Sequence, residues 1–326
     1  MKRIILIMTL ICITISCSAF MVKRKKDPGY LYARKYGAKA NIELHVIDDD
    51  GKPVPDANVE VFMGMNLRNK GRWITGTTNT NGVFLVKGKT TGNEIEYYIK
   101  KDGYYKTVKL FTFAEMGKEH NVVDGKWQPY GERETIVLRE IKNPKIPSCG
   151  GKYVFTKEKY SWIGFDLLKG DFVKPHGNGE HSDFEVYIEW DGKTGQEFTK
   201  VAIKFRFVEK YSGYYITEKK LLSDFKGPYI AKPSKIDLNT VEYSISRRKD
   251  GERIYNIFDS SQSLVIRSRC VINTKGELLS SNFSIIEDIR FYIQRDGKVK
   301  LGLSGYFNPT PNDTNLEPEK VPTHSF

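Results

Sequence analysis

The stretch HVIDDDGKPVPDANVEVF (His45–Phe62) decides how the first half of the chain is read. Three consecutive acids run into a glycine and two prolines. An EF-hand type calcium loop places its acids at alternate positions and closes on a distant bidentate glutamate. Asp48, Asp49 and Asp50 are adjacent, so their side chains point apart. Turn chemistry explains the same residues: Asp caps its own turn, glycine takes positive φ, and Pro53 sets φ beyond it. On this reading Gly51→Val is harmful and Asp49→Asn nearly silent. On either side the pattern alternates. Ile42, Leu44 and Val46 are interleaved with Glu43 and His45, and Ala57, Val59 and Val61 with Asn58 and Glu60. Both are half-buried strands.

Further strands are expected at 83–86, 95–99, 106–110 and 135–138, separated by the turn signals NTNG (Asn79–Gly82) and KDGYY (Lys101–Tyr105). The spacing Val46-x-Asp48-x-x-Gly51-x-Pro53-Val54-x-x-Ala57-x-Val59-x-Val61, followed by Thr77-Thr78-Asn79-x-x-Gly82-x-Phe84, resembles the carboxypeptidase regulatory-like domains. That resemblance implies a prealbumin-like β-sandwich over residues 41–143, serving as an accessory or interaction module. The zinc carboxypeptidase core is absent. An enlarged loop carrying Trp127 and Tyr130 precedes the last strand and has no assigned role. NPKIPS (Asn143–Ser148) reads as a linker.

The second half, residues 144–310, is again strand after strand. Phe184, Val186, Ile188 and Trp190 alternate with polar residues, as do Val201, Ile203, Phe205 and Phe207. Val241, Tyr243 and Ile245 follow, then Leu264, Ile266, Ser268, Cys270 and Ile272, with hairpin turns between them. The fold class is therefore all-β: a prealbumin-like β-sandwich followed by a second antiparallel β-sandwich or barrel-like domain. Residues 311–326 are polar and proline-rich and read as an extended or disordered tail.

The chain carries a net charge of +12, but residues 1–40 hold nine Lys and Arg against one acid, a local +8. Only +4 remains for the other 286 residues, which argues against nucleic acid as a partner. The N-terminus opens with Lys2 and Arg3, then an apolar run from Ile4 to Ile15, then Ser16-Cys17. It resembles a bacterial lipoprotein signal peptide, with Thr14 where leucine is usual. The resemblance implies cleavage after residue 16, lipidation at Cys17 and a basic tether over 17–40 at a membrane surface. Ordinary cleavage after Ala19 and an uncleaved anchor over Ile4–Val22 are the alternatives.

Chemistry-bearing motifs are sparse. No His-Glu-x-x-His, Gly-x-Ser-x-Gly or phosphate loop occurs. The densest candidate is GDFVKPHGNGEHSDFE, which gathers Asp171, His176, Glu180, His181, Asp183 and Glu185. His176 and His181 would share a metal if the loop folds back; a glycine-rich hairpin loop is the plainer reading. Trp162, Trp190, Tyr211, Tyr214 and Tyr215 are candidates for a sugar-stacking platform, against ordinary strand packing. Cys149 and Cys270 are a candidate disulfide in an oxidising compartment, with a buried free thiol at Cys270 the alternative. No catalytic residue, metal or cofactor is assigned. The expected function is that of an exported envelope lipoprotein, facing periplasm or exterior, with a non-catalytic binding or structural role and a glycan or envelope protein as partner. The alternative is a hydrolase of envelope or polysaccharide substrates, with a site around His176 to Glu185.

Overall fold

A computed structural model of the chain describes residues 28–64, 71–113, 122–156, 160–190, 200–220, 222–237, 243–248, 261–293 and 298–321. The signal segment 1–16 and Cys17 lie outside the described residues. Among the described residues strands and connecting loops dominate, with one nine-residue α-helix, α1 (Pro28–Tyr36). Among the described residues no helix is long and apolar enough to cross a membrane. The chain divides into two compact units. The first holds residues up to 46 with 53–99 and 109–136; the second holds 47–52, 100–108 and 137–326.

The first unit is a β-sandwich. One sheet contains β1 (Ala38–Ile47), β4 (Val83–Thr90), β7 (Val122–Val123), β8 (Lys126–Trp127) and β9 (Glu132–Val137), in the order β4-β1-β8-β7 with β9 also pairing β1. The other runs β3 (Arg72–Thr77), β2 (Asn58–Met63), β5 (Glu94–Lys100), β6 (Thr107–Thr112). The alternation on both sides of the aspartates becomes alternating burial. Ile42, Leu44, Val46, Val59 and Val61 are fully enclosed, as are Val86, Tyr97 and Ile99. Each such aliphatic side chain contributes about 1.5–3 kcal/mol by leaving water.

Three residues of the quoted pattern act through geometry. Thr78 Oγ1 donates to the Val54 carbonyl (2.7 Å) and accepts from the Ala57 N–H (2.9 Å), tying the strand entry to the loop. Ala57 is fully buried. Gly82 has φ +70°, and a Cβ there would lie 2.4 Å from the Val46 carbonyl oxygen, so no other residue fits.

The enlarged loop supplies core rather than decoration. Trp127 is fully buried, donates its indole N–H to the Thr90 carbonyl (2.9 Å) and stacks 5.9 Å from Phe113. Residues 28–40, expected to be tether, are folded instead. Pro28 starts α1, where its missing N–H costs nothing. Ala33 is buried, Tyr30 meets Trp127 edge-on at 6.1 Å, and Gly37 closes the helix at φ +79°.

The second unit is also a sandwich of two open antiparallel sheets; neither closes into a barrel. One has the order β10 (Ser148–Thr156), β19 (Val299–Asn308), β18 (Leu278–Ile293), β17 (Gln262–Ile272), β15 (Gly213–Glu218). The other runs β12 (Asp171–Phe172), β11 (Trp162–Asp166), β13 (Phe184–Trp190), β14 (Lys200–Arg206), β16 (Tyr243–Arg248). Phe165, Phe184, Val186, Ile188, Ile203 and Phe205 of one sheet meet Leu264, Ile266, Leu301 and Leu303 of the other.

The β17-β18-β19 sheet is covered on its far face as well. There Val265, Phe283, Ile285 and Tyr306 pack with Ile146, Ala231 and Leu316. This corrects the expected tail. Through Val321 it is irregular but packed: Leu316 and Glu317 are buried, and Glu317 accepts the N–H groups of Lys142 (2.8 Å) and Asn143 (2.5 Å) and the Tyr105 hydroxyl (2.9 Å). A polar, proline-bearing composition concealed one leucine and one buried carboxylate that anchor it. The linker after Asn143 is thereby pinned rather than free.

Candidate functional site

The acidic loop between β11 and β13 is built around two enclosed carboxylates. Asp166 ends β11 and Asp183 precedes β13. Asp166 accepts the N–H groups of Lys169 (3.1 Å), Glu180 (3.0 Å) and His181 (3.2 Å). Asp183 accepts the Leu167 N–H and the Ser268 hydroxyl, both at 2.7 Å. Arg269 bridges them: its Nε and Nη2 lie 3.0 and 3.1 Å from Asp183, and Nη2 lies 2.8 Å from Asp166. Its guanidinium also sits 4.9 Å from the Phe307 ring. Burial pushes the Asp166 carboxyl up, but the three backbone N–H groups and Arg269 outweigh it and hold it below the usual carboxylate range.

Arg269 reaches this position through a bulge. The β17–β18 register shifts between Ser268 and Val271, and Arg269 adopts φ +52°. A non-glycine residue there costs about 1 kcal/mol or more, offset by the ion pairs. The bulge also breaks the expected face of β17. Val271 and Ile272 are exposed, so Cys270 does not share a buried face with Ile272.

The remaining acids and histidines of the loop are occupied separately. Asp171 accepts the N–H of Phe172 (2.8 Å) and both N–H types of Asn178 (3.0 and 3.3 Å). Glu185 faces outward and pairs with Arg206 at 2.5 Å. Glu180 lies 3.7 Å from the Lys169 ammonium. His181 Nε2 lies 2.9 Å from Glu209 Oε1, close enough for an ion pair but without hydrogen-bond alignment. The His176 backbone N–H closes a turn on Val173. Gly177 and Gly179 permit the loop to close: a Cβ at Gly177 would lie 2.4 Å from the Phe172 carbonyl oxygen. Among the described residues no three His, Cys, Asp or Glu side chains converge as a metal site.

The Asp48–Gly51 stretch is a turn. Asp48 Oδ1 accepts the N–H groups of Asp50 (2.9 Å) and Lys52 (2.8 Å), and Gly51 has φ +81°. Asp49, however, has its own partners. Its Oδ2 lies 2.9 Å from the Tyr229 hydroxyl, and its Oδ1 lies 3.5 Å from Arg139 Nε. Arg139 is buried, donates to the carbonyls of Phe225 (2.8 Å) and Gly227 (2.6 Å), and is sandwiched 4.5 and 4.3 Å from the Phe225 and Tyr229 rings. The expectation that Asp49 is interchangeable with Asn is thus revised. Sequence reasoning missed Arg139, Arg269 and Tyr229, because their partners lie 86 to 180 residues away.

The disulfide does not form. Cys270 is a free thiol, and its strand β17 is separated from β10, which carries Cys149, by β18 and β19. Three strand spacings of ~4.8 Å already separate them by at least ~14 Å sideways, against a limit of about 7 Å. Burial, then the Glu209 charge, push the Cys270 thiol up to about 11. The four candidate aromatics among the described side chains are not brought together. Trp162 lies beside Tyr187 under Arg206, Tyr214 is in the core stacked 5.4 Å from Phe207, Tyr215 packs on the far face, and Tyr211 bonds the Gly276 carbonyl (2.9 Å). The side chain of Trp190 lies outside the described residues.

No family model matches the chain, and no curated protein does. Among solved structures, parts of the chain align with intradiol dioxygenases. Catechol 1,2-dioxygenase of Acinetobacter radioresistens aligns at 16% identity over 36% of this chain and 56% of that one, TM-score 0.27. The 3-chlorocatechol 1,2-dioxygenase of Rhodococcus opacus 1CP aligns at 14% over 32% and 61%, TM-score 0.25. An intradiol ring-cleavage dioxygenase of Tetranychus urticae aligns at 21% over 24% and 53%, TM-score 0.20. The chain thus spans little more than half the length of these structures, and at such scores the likeness carries no argument about activity.

Proposed function

We propose that the chain is an exported bacterial envelope lipoprotein, anchored through acyl groups on Cys17 and facing periplasm or exterior. Its two β units serve a binding or structural role without catalysis, and the first acts as a carboxypeptidase regulatory-like interaction module. The anchor rests on the apolar run before Ser16-Cys17 and on the +8 concentrated in residues 1–40. The observation that carries the non-catalytic reading is the state of the acidic loop. Asp166, Asp171 and Asp183 each accept hydrogen bonds from the chain's own backbone, and Arg269 neutralises two of them. A general acid or base needs a carboxyl within reach of a substrate proton, and these carboxyls are spent on holding the loop. The partner is a glycan or an envelope protein, not nucleic acid.

The test has two arms. Mass spectrometry of the membrane fraction finds a mature chain beginning at an acylated Cys17, and Cys17→Ser leaves the chain unprocessed or releases it. An intact Met1 or a mature end at Phe20 overturns the anchor. Hydrolysis of envelope polysaccharides by the wild type that is abolished in His176→Ala and His181→Ala overturns the non-catalytic reading.

A further inference from the structure

Glu287 lies in β18 at a bulge. Ile286 is opposite Gly305 of β19 and Asp288 is opposite Ser304, which leaves Glu287 as the extra residue. Its Oε1 is buried and, among the described residues, has no hydrogen-bond partner. Ser263, the next residue of β17 beyond the Leu264–Ile286 pair, is fully buried, and its hydroxyl also lacks a partner there. Polar atoms enclosed in this way are rare in folded chains and call for a physical reason.

Residues 222–228 cover this carboxyl. Gly227 sits directly on it: a Cβ there would lie 2.4 Å from Ile285 Cδ1 and 3.6 Å from Glu287 Oε1. The backbone N–H groups of Lys226 and Gly227 bond the carboxyl. The carbonyls of the same segment are held by Arg139, which donates to Phe225 (2.8 Å) and Gly227 (2.6 Å). The polar groups of the cover are thus divided. Its carbonyls meet a cation that is always charged, and its N–H groups meet a carboxyl whose charge depends on pH.

An ionised carboxylate needs more than this site gives. Two N–H groups meet part of the demand, but Oε1 would share the charge with nothing to bond. The charged residues of the surrounding elements are Glu218 and Lys219 at the end of β15, Asp224 and Lys226 in the cover, and Arg139 on its carbonyls. Asp288 and Arg290, further along β18, pair with each other. The residues of β19 beside the bulge, Ser304 and Gly305, are uncharged. Burial pushes the Glu287 carboxyl up, outweighing the Lys226 and Lys219 charges and the two N–H groups, which favour the ionised form.

We infer that Glu287 is a proton-controlled latch on residues 222–228: neutral, it keeps them seated on the sheet; ionised, it draws in water and they part from β18, uncovering Ile285. The direction follows from the enclosure. A carboxyl favoured as the neutral acid in the fold contributes fully below its unfolded value of about 4.3. That contribution is lost as pH rises through the higher folded value. Asp166 works the other way, so acid weakens one site of this unit and tightens the other.

The experiment is hydrogen–deuterium exchange of the full chain between about pH 5 and about pH 9, read by mass spectrometry and corrected for the intrinsic pH dependence of exchange. Protection of the amides in 222–228 should fall at least ~10-fold across that range, while peptides from β13 stay level. Glu287→Gln keeps an acceptor and cannot ionise, so it should abolish the fall. Lys226→Gln removes a charge that favours the ionised form, so it should move the midpoint to higher pH. Flat protection in the wild type, an equal fall in Glu287→Gln, or a fall shared by β13 overturns the latch. If Glu287→Gln does not fold, Lys226→Gln decides, and an unmoved midpoint overturns it.

Discussion

Two arginines of the second unit, Arg269 and Arg139, each lie against an aromatic ring and are each reached by an aspartate that stood out in the sequence; Arg139 is buried and Arg269 is partly exposed. They are held differently. Arg269 meets two carboxylates within 3.1 Å, and those carboxylates are in turn bonded by loop N–H groups. Arg139 meets one carboxylate at 3.5 Å and is held mainly by two carbonyls and two rings. The first is an ion network in which both carboxylates have lost water and the guanidinium keeps part of its exposure. The second is a hydrogen-bonded cation with a partial counter-charge. A buried pair is expensive to break because the surviving charge is left uncompensated, whatever the pair itself contributes.

The largest effect should follow from breaking the network. Arg269→Met leaves Asp166 and Asp183 enclosed without their cation and should cost about 3–5 kcal/mol in chemical denaturation. Adding Asp183→Asn should recover part of that loss; strict additivity would show that the three groups are not coupled. The network should also be felt in acid. The Asp166 carboxyl is held below its ordinary value, so its contribution is complete above the unfolded carboxylate pKa of about 4. It is lost as pH falls through the lower folded value. Melting temperature should therefore drop below pH ~4, with a shallower slope in Asp166→Asn.

The second arginine should matter less. Arg139→Met deprives the Phe225 and Gly227 carbonyls of their donor and should cost about 2–4 kcal/mol. If it costs as much as Arg269→Met, the distinction between the two sites fails.

Within the turn that feeds Arg139, Gly51→Val should cost about 1–2 kcal/mol. A Cβ there meets nothing within 4 Å, so the loss comes from φ +81° alone. Asp49→Asn should cost about 1 kcal/mol, since it removes the charge facing Arg139 but keeps an acceptor for Tyr229. Calcium and chelator should leave all of these melts unchanged; a calcium-dependent rise abolished by Asp49→Asn would mean the turn is an ion site.

The smallest signal is chemical. The Cys270 thiol, pushed up to about 11, should alkylate slowly at pH 8 in the native state, as followed by peptide mass spectrometry, and rapidly once unfolded. Fast native labelling would show that its enclosure is not maintained.

Local signals in the chain determined a good deal. Period-2 alternation placed β1, β2, β5, β13 and β14, because a strand shows one face to the core and the other to water. The Asp-Gly and Asn-Gly clusters marked turns, because only certain residues tolerate those backbone angles. Ala57, Thr78 and Gly82 were legible as a pattern because each meets a fixed neighbour along the same hairpins. Tertiary structure decided the rest. β17 is buried on both faces, so its alternation is masked, and the bulge at Arg269 then shifts the phase. Trp127, read as part of a loop, became core because Thr90 and Phe113 were waiting for it. The roles of Asp49, Asp166, Asp183 and Glu317 depend on partners far along the chain. A carboxylate's sequence neighbours say whether it caps a turn. Only the folded chain says which arginine, tyrosine or distant N–H takes its remaining lone pairs, because that is set by which strands pack together and not by which residues are adjacent.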